Sequence, residues 1–186
     1  ELMGGAVVRS EVYESAIDVV LPSWMSSDGQ KIGAQVIGQV FGTNWAAYHG
    51  DSCEVLVGFP DCCIDLSIYS PPFADLYTYS ASEHDLGNSH DWGQFFEHYA
   101  FIIHEVLRVT KPGRLTCVHT SDIAAMMQKD GYLGVKDFPG AVIRAYEQEG
   151  WVFCGRALVD KNPQSQAIRI HASSLLFVQM RKDSTK

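Results

Sequence analysis

Asp65-Leu66-Ser67-Ile68-Tyr69-Ser70-Pro71-Pro72-Phe73 reads as a β-strand that ends in a rigid corner. Ile64, Leu66 and Ile68 alternate with Asp65, Ser67 and Tyr69, the period of a strand. Two consecutive prolines then fix two φ angles and remove two backbone donors. Pro71 also pushes Ser70 toward an extended conformation. The expected product is a stiff corner rich in acceptors. The carbonyls of Ser70 and Pro71 are released from sheet pairing, Ser70 adds a hydroxyl, and Phe73 adds a flat apolar face.

Outward from this corner, residues 74–90 hold many Tyr, Ser, His, Asp and Gly and few aliphatic residues, which predicts a long exposed loop. Trp92 to Val109 is the strongest helix. Phe95, Phe96, Tyr99, Ile102, Ile103, Val106 and Leu107 fall at helical spacing, and Asp91 with Gln94 forms a candidate capping box. Lys111-Pro112-Gly113 stops it, and Arg114 to His119 reads as the next strand. Ser121 to Lys129 suggests a short helix, and Pro139 to Glu149 another, with Gly150 just past its end. Trp151 to Val159 and Leu175 to Met180 read as strands. Upstream, Cys53 to Phe59 suggests a helical turn or two. The alternation predicts an α/β sheet covered on both faces, closed by a hairpin, with chemistry at the carboxyl ends of its strands.

Hydrophobic residues make up 46% of the 186 and charged residues 19%, a globular composition with room for a sizeable core. No apolar run approaches the ~18 residues of a membrane span. Five cysteines, an odd number with Cys62 and Cys63 adjacent, argue against a disulfide framework and for a reducing, cytoplasmic setting. No pair among the seven histidines has zinc-motif spacing, and Cys62-Cys63 is not a Cys-x-x-Cys, so no metal is expected. The net charge of −8 shows no basic surplus for gripping phosphates. A basic surface must then be local, or belong to another part.

The corner suits one chemical task. An exocyclic amino group on a base is planar, and its lone pair is delocalised into the ring. Fixed acceptors hold its hydrogens, favour a pyramidal nitrogen and aim the lone pair at an electrophile. An adjacent ring can stack on a base swung out of the duplex. The bland alternative is a stiff turn with no chemistry.

The run 65–73 resembles motif IV of the amino-methyltransferases that act on adenine N6 or cytosine N4. Tyr48-His49-Gly50-Asp51-Ser52-Cys53-Glu54-Val55-Leu56, followed by Phe59-Pro60-Asp61, is similar to the segment preceding that motif. Glu105-Val106-Leu107-Arg108-Val109-Thr110-Lys111-Pro112-Gly113-Arg114-Leu115 is similar to the family's lead into its next strand. Together these cover roughly residues 46–181.

The resemblance implies an α/β, Rossmann-like methyltransferase fold: a mostly parallel sheet with a terminal antiparallel hairpin, incomplete in this chain. It implies S-adenosylmethionine as cofactor and DNA as substrate. Residues 46–186 would form the catalytic domain in part, and residues 1–45 an extension of undefined role. By the same resemblance, Ser70, Pro71, Pro72 and Phe73 hold the target amino group. Asp51 ends a strand and accepts from the cofactor's adenine, with Ser52, Cys53 and Ser70 beside it. Tyr77 and Tyr79 line the path of the base or phosphate with Phe73, and Lys161 leads toward a DNA-recognition segment. Asp51 is equally a turn residue or helix N-cap.

The family's Gly-rich Phe-x-Gly-x-Gly loop is not found in the sequence. The order fits the permuted members, in which that loop follows the recognition segment. The expectation is therefore a piece of a longer enzyme, partnered by the remaining portion or by a second copy, with a weak cofactor site when alone. Serine in place of the commoner aspartate leans toward cytosine N4. A methyltransferase-like module without catalysis, and an RNA or protein-amide methyltransferase, are the competing readings.

Overall fold

The computed structural model describes residues 7–9, 36–74, 85–159 and 175–182. In chain order the elements are β1 (Val7–Arg9), β2 (Gly38–Phe41), β3 (Trp45–His49), α1 (Ser52–Val57), β4 (Ile64–Tyr69), a 3-10 turn (Leu86–Asn88), α2 (Trp92–Val109), β5 (Thr110–Thr120), β6 (Ile123–Ala125), α3 (Met127–Asp130), β7 (Gly134–Lys136), α4 (Phe138–Gln148), β8 (Trp151–Val159) and β9 (Leu175–Lys182).

The main sheet has the order β4-β5-β9-β8. β4 and β5 run parallel, with Leu66 opposite Leu115 and Tyr69 opposite Val118. β9 lies antiparallel to both β5 and β8. The α/β class and the terminal hairpin are as expected. Among the described residues, however, parallel pairing is confined to β4–β5, because the hairpin inserts its second strand between β5 and β8. A smaller antiparallel sheet, β1-β3-β2, joins two strands from residues 1–45 to β3.

α2 forms where the apolar period and its caps agree. The Asp91 carboxylate accepts from the Gln94 N–H at 2.9 Å, and the Gln94 amide oxygen accepts from the His90 N–H at 2.8 Å. Phe95, Tyr99, Ile103, Val106 and Val109 are its buried stripe. α4 begins at Asp137, whose carboxylate accepts from Gly140 N–H at 2.7 Å, and ends at Gly150 in the left-handed region (φ 97°). The two helices share a core with Val118, Trp151 and Met180 of the sheet.

That core covers one face of the sheet. On the other, Leu66 is 42% and Ile68 62% exposed, so the expected cover on both faces is missing there among the described residues. Ile64 is buried, but past the register shift after it Leu66 and Ile68 point outward, and Tyr69 takes the inward place. The helix expected over 121–129 is replaced by β6 and the one-turn α3. Ile123 and Ala125 are buried at a period of two, and β6 pairs with β7 across a left-handed Gly131 (φ 77°). No helix among the described residues is long and apolar enough to cross a membrane.

Two interactions fix the relation of helices to sheet. The hydroxyls of Tyr69, Tyr99 and Tyr146 bond to one another in the core, with Tyr99 3.3 Å from Tyr69 and 3.2 Å from Tyr146. At the far end of α2, Arg108 donates to the carbonyls of Phe59 and Leu56 at 2.8 Å and pairs with Asp61 and Glu105.

Arg108→Met keeps the stem but leaves two carbonyls and Glu105 without their donor. It should lower stability by about 2 kcal/mol in urea denaturation. The three phenols are held above their ordinary range, first by burial, so the folded state favours their neutral forms. Their contribution is full below the unfolded value of about 10 and is lost as pH rises toward the folded values. Stability should therefore fall steeply above about pH 10, and Tyr146→Phe should blunt that fall while costing about 1 kcal/mol at neutral pH.

Candidate active site at the carboxyl end of β4

Ser70 to Phe73 leave the sheet where β4 and β5 end side by side. Tyr69 opposite Val118 brings Ser70 level with His119, 49 residues on. The Ser70 hydroxyl donates to the His119 carbonyl at 3.1 Å and lies 3.2 Å from His119 Nδ1. Phe73 is half-buried, its ring 6.2 Å from the His119 ring and 6.0 Å from the Phe138 ring, in tilted and edge contacts. Pro71 is buried, and Ala74, just past the corner, is buried with φ 48°, a left-handed turn uncommon for a residue with a Cβ. The corner is thus anchored on three sides: Tyr69 in the core, Phe73 on α4, and Ser70 on β5.

Asp51, Ser52 and Cys53 begin α1. Asp51 is its N-cap, and its Oδ1 accepts from the Cys53 N–H at 2.8 Å. That backbone donor, expected beside the cofactor's adenine, is therefore taken up within the turn. Burial, then the carboxylates of Asp51, Glu105 and Glu54, push the Cys53 thiol up to about 11. One carboxylate oxygen of Glu54 is buried without a hydrogen-bond partner among the described residues, as is the hydroxyl of Tyr48 on β3.

A groove of about 490 Å³ lies over α1 and α2, lined by Cys53, Glu54, Val57, Phe101, His104 and Glu149. Its carboxylates continue the acidic character of the Asp51 turn. The basic residues near the end of α2 are no phosphate clamp: Arg108 pairs with Asp61 and Glu105, and Lys111 and Arg114 both pair with Asp65 at 2.7 and 3.0 Å.

The structure brings Ser70, Pro71, Pro72 and Phe73 together as one corner and Asp51, Ser52 and Cys53 as one turn. Tyr77, Tyr79 and Lys161 lie outside the described residues. His119 was missed by sequence reasoning, since it looks like an ordinary strand histidine. Its only signal is the parallel register of two strands that chain order separates by a helix.

No protein-family model matches the chain, and no curated protein does. Among solved structures, it is similar to a protein from Thermus thermophilus, provisionally assigned as a DNA modification methylase and complexed with S-adenosyl-L-methionine. Identity is 22% and the TM-score 0.55, over 72% of this chain and 51% of that one. It is also similar to the PvuII DNA methyltransferase, which is cytosine-N4-specific, at 17% identity and TM-score 0.51, over 74% of this chain and 49% of that one. The chain spans about half the length of the structures it matches. The likeness at these identities is one of fold, and that fold is the α/β, Rossmann-like methyltransferase fold.

Proposed function

We propose that this chain carries the base-holding half of an S-adenosylmethionine-dependent DNA amino-methyltransferase. It transfers a methyl group to an exocyclic amino group, cytosine N4 in preference to adenine N6. The observation that carries this reading is the anchored Ser70–Phe73 corner at the carboxyl end of β4, beside the end of β5. The likeness of fold to a cytosine-N4-specific enzyme supports it.

The residues present fit the cofactor by their chemistry. The Asp51 turn is acidic, and Glu54 keeps a buried carboxylate oxygen without a partner among the described residues, which suits the amino and cationic groups of S-adenosylmethionine. Bound there, the cofactor supplies a methyl group on a positively charged sulfur. The chain's own residues do the rest. Ser70 accepts from the amino group and orients it, Phe73 offers a ring face to the base, and the two prolines keep both from moving. Tyr77, Tyr79 and Lys161 belong to the DNA path on the family resemblance alone. Five free cysteines accord with a reducing, cytoplasmic setting.

The exposed Leu66 and Ile68 favour a second reading: a methyltransferase-like module that acts only once a further portion, or a second copy, covers that face. Incubating the chain with labelled cofactor and unmethylated DNA, then analysing nucleosides, separates the readings. N4-methylcytosine or N6-methyladenine supports catalysis. Cofactor binding without any methylated base supports the module, and label in RNA or a glutamine amide points to another substrate.

If the first reading holds, Ser70→Ala should slow methyl transfer by about 100-fold with little change in cofactor affinity. Asp51→Ser keeps an N-cap but removes the charge, so it should weaken cofactor binding in calorimetry while leaving thermal stability nearly unchanged. Equal loss of stability and binding in that variant would reduce Asp51 to a cap.

A further inference from the structure

The Ser70 hydroxyl has one hydrogen and two lone pairs. It sits 3.1 Å from the His119 carbonyl oxygen and 3.2 Å from His119 Nδ1. A carbonyl oxygen can only accept, so the hydroxyl hydrogen belongs on that line. Were it turned to Nδ1 instead, two oxygens would face each other with lone pairs at 3.1 Å. With the hydrogen committed to the carbonyl, Nδ1 must bring its own. The ring is then either neutral with its hydrogen on Nδ1, or cationic, and both forms donate to Ser70. The Phe73 ring, 6.2 Å away and tilted, packs beside the imidazole and limits its swing.

One lone pair of the hydroxyl is left. Ser70 therefore has nothing to donate to whatever enters the corner, and can only accept. We propose that His119 is a positioning residue that fixes the Ser70 hydroxyl as an acceptor, so that the corner selects a ligand group bearing N–H over one presenting a carbonyl oxygen. This distinguishes an amino-bearing base such as cytosine from its 4-oxo counterpart. The identity of the ligand rests on the methyl-transfer reading; the state of the His119 ring stands on geometry alone.

Nitrogen-15 NMR of the histidine rings in the full chain tests the geometry without any reaction. The His119 signals are assigned by their loss in His119→Asn. They should show hydrogen on Nδ1 at pH values where the ring is neutral. Ser70→Ala should return the ring to the Nε2–H form that free histidine favours. A neutral His119 with its hydrogen on Nε2 in the unaltered chain overturns the proposal.

Methyl-transfer rates test its consequence. Asparagine places an amide N–H near the Nδ1 position, so His119→Asn should stay within about threefold of the unaltered chain. His119→Leu should lose about tenfold or more in kcat, with KM for the cofactor little changed. Neither substitution touches the backbone carbonyl. Equal rates in the Asn and Leu variants of an active chain overturn the positioning role. A chain that methylates nothing, alone or joined to the portion that completes it, yet shows hydrogen on Nδ1, removes the methyl-transfer reading and leaves the acceptor assignment standing.

Discussion

The hydroxyls of Tyr69, Tyr99 and Tyr146 meet in the core, one from β4, one from α2 and one from α4. A buried hydroxyl without a partner costs on the order of 1–3 kcal/mol. Each of these finds its partners only when all three elements dock in one arrangement. An alternative docking of either helix would strand that helix's hydroxyl in an apolar setting shared with Phe95, Phe138 and Val142, and would leave the other two each one partner short. The cluster therefore specifies position as much as it stabilises. Tyr69 is also the residue before Ser70, and Pro71 and Pro72 leave little slack beyond it. Where the tyrosines settle, the corner follows.

The same constraint explains the orientation of β4. Its alternation defines two faces but not which one is inward. On aliphatic content, Ile64, Leu66 and Ile68 have the stronger claim to the core. The tyrosine triad reverses that for the second half of the strand: Tyr69 goes in with its hydroxyl satisfied, and Leu66 and Ile68 are left facing out. Two exposed aliphatic residues on a strand at the edge of the described sheet are a surface that ordinarily receives a cover.

Much of this architecture was legible in the sequence, and for identifiable reasons. α2 combined an apolar period, a capping box and a Lys-Pro-Gly stop, and each local preference agreed with the others. α4 and the last two strands were bounded by Asp, Pro and Gly in the right places. The corner was legible because two prolines restrict the backbone whatever surrounds them. The residues 121–129 were misread because Ile123 and Ala125 are too few to reveal a period of two, and their partner strand lies beyond a glycine turn. His119 was illegible for a deeper reason. Its role comes from sheet register, which depends on β4 and β5 pairing in parallel across an 18-residue helix. No local pattern encodes that.

The electrostatics of the site bear on how a nucleic acid could use it. Arg108 and Lys136 sit against carboxylates of their own and Lys111 and Arg114 share Asp65, so most of this positive charge is balanced within the protein. The Asp51 turn adds acidic groups that raise the Cys53 thiol. Unbalanced carboxylates of that turn favour cations over phosphate at short range, within the ~8 Å that physiological salt allows. A base can approach an acceptor corner of this kind only if its phosphates are held at a distance, which is what extrusion from the duplex accomplishes. On the proposed reading, the acidity of the Asp51 turn is no argument against DNA as substrate: it favours the cationic cofactor, and it leaves the grip on the backbone to basic residues away from that turn.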